Sequence, residues 1–481
     1  MDSQRVSKKA VANGDGYRLS ISLIPDLVGL LDVVLILLAA LLPYALYVPH
    51  HMPLFENYAF CTLFIAVVSI FMLNRSGLYE IHAIMQPVAK SDLVIVSIVS
   101  AFLFFLTIAF SLKVSGLYSR VWIYSFAGSA VVFVLLGRIA MMQLLRRLSE
   151  RRVVERNVVV FGAGNQAERF LKTVGETRPA FTRIAAVFSA HGEAQRQEVS
   201  GHSVTGTEHD IVDYVRSHRV DDIIIAMPWG VDGGLDATIA ELKQLPVNVY
   251  VSSKLTDYQL QFKPALGHPR ALPLFEVVQR PISGWSALLK SLEDYIITTA
   301  LVILLAPLML LIAIAIKIDS PGPVFFMQRR LGFNNREFKI YKFRSMYHRK
   351  RPERTVRQAA KGDPRITRVG RFIRRTSLDE LPQLFNVLDG TMSLVGPRPH
   401  ALSHNEDYGR QIRGYFARHR VKPGITGWAQ VNNLRGETET LSKMEARVDY
   451  DIYYTENWSL LFDLRILLMT AVVVLFQKSA Y

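Results

Sequence analysis

The sequence has one cysteine in 481 residues, Cys61, and it lies inside an apolar run. A disulfide framework is therefore excluded, and so is a cysteine-rich metal site. No small-residue cleavage site follows the first apolar run and further runs come after it, so that run is not expected to be a cleavable signal peptide. Acidic residues are scarce where basic ones gather: from Lys317 to Arg375 there are eighteen Lys and Arg against four Asp and Glu. Most of the chain's net charge of +15 thus sits in one stretch, a focused patch rather than a general basic character. Nucleic acid, anionic lipid headgroups and diphosphates are all partners for such a patch.

The length predicts about three units. Half of the residues are hydrophobic, and they are clumped. Four apolar stretches, near residues 26–48, 58–74, 92–112 and 121–142, each approach the ~20 residues that a helix needs to cross a bilayer. Arg5, Lys8, Lys9 and Arg18 precede the first, Arg75 and Lys90 lie between the second and third, and Arg146, Arg147, Arg151, Arg152 and Arg156 follow the fourth. The loop from His50 to Asn57 has no Lys or Arg, and the third-to-fourth loop has only Lys113 and Arg120. Positive-inside bias then puts the N-terminus and everything after Arg146 in the cytoplasm, and residues 1–150 are expected to form a four-span bundle.

Residues 151–283 are expected to form a Rossmann-like α/β domain. Strand-like runs at Val158–Phe161, Ile184–Phe188, Asp222–Ala226 and Val247–Val251 alternate with helical patterns, as in a parallel sheet. Gly162, Gly164 and Ala167 after the first strand make a dinucleotide-type pattern, which is weak alone. A ribose-binding acid is expected at the end of the next strand, but Ser189-Ala190-His191 stands there, with no acid until Glu193. The unit reads as a degenerate nucleotide-binding fold serving assembly or regulation.

A fifth apolar stretch, 295–317, has Pro307 at its middle, where the ring removes a backbone hydrogen bond and kinks a helix. If this segment crossed, the basic patch would lie outside the cell, against the positive-inside bias. Arg280 and Lys290 before it are basic as well, so a re-entrant helix that bends at Pro307 and returns is expected; a kinked ordinary span is the alternative. Residues 284–481 are then a mixed α/β catalytic domain, with a loop at 349–362. Leu460–Phe476 is apolar but carries Asp463 and Arg465, as an interfacial or packed helix would.

In Thr376–Leu388 the apolar pattern is helical from Leu381 onward, which places Asp379 near a helix N-terminus and Pro382 in the first turn. Ser377 or Asp379 as a simple cap, with Glu380 complementing the dipole, is the structural alternative. Beside Arg374 and Arg375, however, such a terminus also seats phosphate, and an Asp there could attack phosphorus. Glu380 could hold Mg²⁺ together with substrate phosphates. Val395-Gly396-Pro397-Arg398-Pro399 sets an arginine on a stiff backbone suited to an anion, unless Arg398 is merely solvated. Lys339–Met346 alternates apolar and basic residues, as a strand with one basic face does, and Val421–Asn432 is a Gly/Pro-punctuated loop.

The segments PGPVFF (321–326), KIYKFRSM (339–346), DPRITRVGRFIRRTSLDELPQLFNVLDGTMSLVGPRPH (363–400) and VKPGITGWAQVN (421–432) occur in the order found in the bacterial sugar transferases, the monotopic polyprenyl-phosphate hexose-1-phosphate transferases. The chain resembles that family over about residues 285–475, and its first two units resemble the family's large form. The tail from Leu434 through Asp451 to Leu460 is similar to its glucose-1-phosphate transferases. The resemblance implies an enzyme of the bacterial inner membrane, with the catalytic domain on the cytoplasmic face, that transfers glucose-1-phosphate from UDP-glucose to undecaprenyl phosphate and begins an exopolysaccharide repeat unit. Asp379 would be the nucleophile, giving a phosphoglycosyl-aspartate and UMP, and Glu380 the Mg²⁺-associated partner. Lys342, Arg344, Arg374 and Arg398 would be donor or phosphate contacts. Asp463, at an acidic position of the C-terminal motif, is grouped with the substrate contacts, although the sequence around it specifies no particular role. Pro307 matches the helix break, where Ala306 stands in place of the family's frequent serine. No nucleic acid is implied, and a homodimer through the spans or the middle unit fits the organisation. Galactose instead of glucose stays open. A membrane-bound NAD-dependent dehydratase or epimerase and a non-enzymatic scaffold are the competing classes.

Overall fold

The computed structural model describes residues 20–48, 55–190, 196–227, 234–252, 274–348, 363–434 and 440–476. The basic N-terminal positions Arg5, Lys8, Lys9 and Arg18, the residues His191 and Glu193, the loop 349–362 and Arg435–Thr438 lie outside them.

Apolar runs with few charges fold into helices α1 (Ile24–Tyr47), α2 (Phe55–Arg75), α3 (Ser91–Ser111) and α4 (Arg120–Glu150). Each is long and apolar enough to cross a membrane. Ile36, Ile65, Ile98, Trp122 and Phe126 are buried between them, while Leu41, Phe60, Phe71, Leu103 and Leu136 face outward. The interior carries one fully buried ion pair: Arg138 Nη2 donates to Asp32 Oδ2 at 2.7 Å, and Tyr79 OH donates to the same oxygen at 3.0 Å. Charges inside an apolar bundle persist when they are paired in this way.

The middle unit is a seven-stranded sheet. Its elements are β1 (Arg156–Phe161), α5 (Asn165–Thr177), β2 (Thr182–Ser189), β3 (Glu198–Val199), β4 (His202–Thr207), α6 (Glu208–Ser217), β5 (Asp222–Ile225), α7 (Gly234–Leu242), β6 (Asn248–Ser252) and β7 (Leu274–Val278). The strand order is β3-β4-β2-β1-β5-β6-β7, with β4, β2, β1, β5 and β6 parallel and the two edge strands antiparallel. Val159, Ile223 and Val249 are buried on one face and Val158, Val160 and Ile224 on the other, which is why these strands read as continuous apolar runs. Gly162 has φ +124°, and a Cβ there would lie 2.5 Å from the Ala226 carbonyl oxygen; the first glycine of the motif thus lets two strand ends approach.

The remaining chain is built on α8 (Gly284–Asp319), a 36-residue helix, about 54 Å long at 1.5 Å per residue. It begins well before the expected 295, because Trp285–Asp294 continues the helical pattern with polar residues on the buried side. The assigned helix is continuous through Pro307, whose missing N–H leaves the Ile303 carbonyl without its helical donor. The two halves of α8 touch two adjoining clusters of the same domain. Asp294 accepts from Ser393 Oγ and Leu394 N at 3.0 Å each, and Met309, Ile312 and Ile316 pack with Phe343, Ile373, Leu378 and Leu381. Leu288, Leu292, Ile296, Ile303, Leu304 and Leu311 remain exposed along its length.

Onto α8 fold the antiparallel ribbon β8 (Phe325–Leu331) and β9 (Glu337–Phe343), helices α9 (Arg368–Arg375) and α10 (Gln383–Leu388), and β10 (Ser393–Val395). They are followed by α11 (Leu402–Gln411), β11 (Gly424–Thr426), α12 (Leu441–Glu456) and α13 (Leu460–Phe476). The loop Val421–Asn432 is structural: β11 pairs in parallel with β10, and a Cβ on Gly424 would fall 2.1 Å from the Gly396 amide nitrogen. That contact of two glycine backbones fixes the start of the Pro397-Arg398-Pro399 segment.

Candidate active site

Asp379 lies in a 3₁₀ turn, Leu378–Glu380, that follows Ser377 in the left-handed region at φ 58°. The expected helix begins later and is short: Pro382 precedes its first residue, and it runs only from Gln383 to Leu388. Ser377 makes no side-chain cap, and Asp379 accepts no backbone N–H through its carboxyl among the described residues, so the capping alternative is not realised. The carboxyl of Asp379 has no hydrogen-bond partner among the described residues.

Its neighbour is held by two cations. Glu380 Oε1 accepts from Lys342 Nζ at 2.8 Å and from Arg398 Nη2 at 2.5 Å, and Oε2 accepts from Arg398 Nη1 at 3.2 Å. Lys342 is delivered by β9 and Arg398 by the Gly-Pro-Arg-Pro segment after β10. Burial opposes ionisation of Glu380, but the Arg398 guanidinium and the Lys342 ammonium outweigh it and hold its pKa well below the usual carboxylate range. Burial and then the Glu380 charge push Asp379 up to about 6, while Lys342, Arg374 and Arg398 pull the other way. Asp379, Glu380, Lys342, Arg374 and Arg398 therefore share one electrostatic site.

Two expected contacts are elsewhere. Arg344 is buried, and its guanidinium caps the end of α8, donating to Ile316 O at 3.2 Å, Ser320 O at 2.7 Å and Pro321 O at 3.0 Å. A cation at a helix C-terminus satisfies carbonyls that the helix leaves open. Asp463 is fully buried: its carboxylate pairs with Lys290 Nζ at 2.6 Å and accepts from Tyr454 OH and Trp458 Nε1 at 2.9 Å each. Both its oxygens are occupied by protein, so it ties α13 to α8 instead of meeting substrate.

Residues that sequence reasoning passed over support the site from behind. Arg418, fully buried, donates through Nη2 to the Arg398 carbonyl at 2.7 Å and pairs with Asp451 Oδ2 at 2.6 Å. Tyr415 OH donates to Asn405 Oδ1 at 2.9 Å and meets His400 Nδ1 at 2.7 Å. The next residue after Arg418, His419, contacts Asn335, which in the orientation that satisfies its amide accepts from Arg216 of the middle unit at 3.1 and 3.2 Å. Arg418 and His419 showed only as a basic run, Arg418-His419-Arg420, whereas His400 and Asp451 stand in segments that carry the family resemblance, with no role attached to them.

No group of three or more His, Cys, Asp or Glu side chains that could hold a metal occurs among the described residues. The described side chains alone therefore offer no full cation cage. With two lone pairs per oxygen, Oε1 is filled by two donors while Oε2 accepts one, so Glu380 keeps one lone pair for a cation shared with a diphosphate.

Residues 285–477, which contain this site, match the bacterial sugar transferase family, and residues 74–253 match a family described as a CoA-binding domain. The UDP-glucose:undecaprenyl-phosphate glucose-1-phosphate transferase of Xanthomonas campestris pv. campestris is 38% identical over 385 residues, 79% of this chain and 79% of that protein. A protein of the same name from Escherichia coli (strain K12) is 41% identical over 276 residues, 57% of this chain and 59% of that one. The UDP-galactose-lipid carrier transferase of Erwinia amylovora is 30% identical, over 75% of this chain and 76% of its own length. With that much of the Xanthomonas protein matched and the site inside the family's own region, the chain belongs to the bacterial sugar transferases.

Proposed function

We propose that the chain is a membrane enzyme that moves glucose-1-phosphate from UDP-glucose to undecaprenyl phosphate, releasing UMP and starting an exopolysaccharide repeat unit. The observation that carries the reading is the division of the acidic pair: Glu380 is held ionised by Arg398 and Lys342, while Asp379 beside it has no hydrogen-bond partner among the described residues. Asp379 attacks the sugar-bearing phosphorus; the bond to the bridging oxygen breaks, and UMP leaves with the electron pair. An oxygen of undecaprenyl phosphate then attacks the same phosphorus, the aspartyl–phosphorus bond breaks, and undecaprenyl-diphosphate-glucose forms with Asp379 restored. Lys342, Arg374 and Arg398 offset the negative charge of the diphosphate while the bond changes proceed. Mg²⁺, held by Glu380 and the diphosphate, would supply further charge neutralisation.

Glucose is favoured by the names of the more similar relatives, at 38% and 41% identity against 30% for the galactose-named protein. Four spans, α1 to α4, with the middle unit and catalytic region on the cytoplasmic face of the inner membrane, fit the charge distribution. A re-entrant α8 is supported by the contacts of both its halves with the same catalytic domain: a helix that crossed would draw one half away from it. The middle unit, with its glycine pattern, is read as a Rossmann-like regulatory or assembly domain. Incubation of the full chain in nanodiscs with radiolabelled UDP-glucose or UDP-galactose plus undecaprenyl phosphate tests the reaction. Lipid-linked label and UMP are expected with glucose; label from galactose alone would change the donor, and no UMP from either would remove the proposal.

A further inference from the structure

Arg330 lies on β8 opposite Phe338 of β9, while Lys342 of β9 pairs with Phe326. Side chains alternate along a strand, so Arg330, four residues from Phe326, shares with Lys342 one face of the ribbon, about 13 Å farther along it. An isolated antiparallel bridge to Ala401 ties Arg330 to the segment that carries Arg398. The guanidinium donates to Gln328 Oε1 at 2.7 Å, its buried Nε has no acceptor, and no carboxylate pairs with it among the described residues. Burial and then the Arg398 guanidinium push its pKa down to about 10, and Glu380 pulls the other way.

A guanidinium held beside a second one, with a single side-chain acceptor among the described residues, is unfavourable until an anion reaches its Nη groups. The charges also have an order. Phe343, next to Lys342, packs with Ile373 of α9 and Ile312 of α8, so Lys342 stands at the end of the ribbon nearest those helices and Arg330 about 13 Å from it along the strands. Arg374 closes α9, whose Val369, Phe372 and Ile373 line an apolar groove with Leu311, Ile312 and Ala315 of α8. That is the end of the site suited to a lipid, and Arg330 lies away from it along the ribbon, joined by its bridge to the segment that carries Arg398. Resting on the transfer reading above, we propose that Arg330 binds the nucleotide half of the donor, contacting the phosphate that departs as UMP.

The test uses the full chain in nanodiscs with Arg330→Gln and Arg330→Lys. A charge-assisted hydrogen bond is worth ~1.5–3 kcal/mol, so Arg330→Gln should raise the KM for UDP-glucose and the inhibition constant of UMP by at least about tenfold, with the KM for undecaprenyl phosphate unchanged. Arg330→Lys should recover part of both. An unchanged donor KM and UMP inhibition, or a rise confined to the lipid KM, would overturn the assignment. If Arg330→Gln turns over too slowly for kinetics, direct calorimetric binding of UMP decides: weakened binding supports the contact, and wild-type affinity refutes it. Failure of the wild type to form lipid-linked sugar would count against the transfer reading instead, which keeps the two claims separate.

Discussion

Arg398 closes a two-pronged contact on Glu380, with Nη2 to Oε1 at 2.5 Å and Nη1 to Oε2 at 3.2 Å. One residue away, Asp379 has no such partner, and the two adjacent carboxyls are driven apart: Glu380 well below its usual range, Asp379 up to about 6. Environments that separate the titration of paired acids also separate their roles.

The attacking form of Asp379 is the carboxylate. The rate constant kcat/KM for UDP-glucose should therefore rise with pH through about 6 and then level off. Glu380 contributes to that elevation, so the activity left in Glu380→Gln should have its acid limb at lower pH. A pH–rate profile flat from 5 to 7 would count against Asp379 as the titrating nucleophile.

Stability should move the opposite way. A carboxyl whose folded pKa is raised from 3.8 to about 6 stabilises the fold fully below about pH 4, and that contribution is lost as pH rises through about 6. Asp379→Asn, neutral at every pH, should thus be more stable than wild type at pH 8 by on the order of 2 kcal/mol, while UMP release disappears. Thermal melts at pH 8 and pH 5 check this, with the gap expected to narrow at the lower pH.

Arg344 and Asp463 should behave as structural residues. Arg344→Ala leaves the carbonyls at the end of α8 without their donor, at a cost of roughly 2–4 kcal/mol. Asp463→Asn removes the nearest carboxylate from the buried Lys290 ammonium, which keeps Asp294 at 3.1 Å, at a cost of about 1–3 kcal/mol. Denaturation of each variant measures the loss; a large rise in donor KM with unchanged stability would return either residue to the substrate.

If α8 returns to its starting face, Ser286→Cys and Lys317→Cys, each in a Cys61→Ser background, should both react with an impermeant maleimide in inside-out vesicles. Neither should react in spheroplasts. Labelling of one end on each side would establish a crossing helix.

The sequence alone was enough to locate the apolar helices, the strands β1, β2, β5 and β6, and the Asp379–Glu380 pair among basic residues. Hydropathy, strand alternation and the chemistry of neighbouring side chains are all written within a few residues. It also set the length of apolar chain around Pro307, though the helix extends past both ends of that run, where polar side chains face protein instead of lipid. What only the tertiary structure decided is which charges face substrate. Arg344 and Arg398 read alike in sequence, yet one caps α8 and the other grips Glu380; Asp463 reads as a site acid and is closed by Lys290. Arg418 showed only as part of a basic run and Arg330 only as one charge of the basic patch, because the groups that define them stand 20 to about 70 residues away along the chain. A charge takes its role from its partner and its burial, and both are set when distant segments pack together.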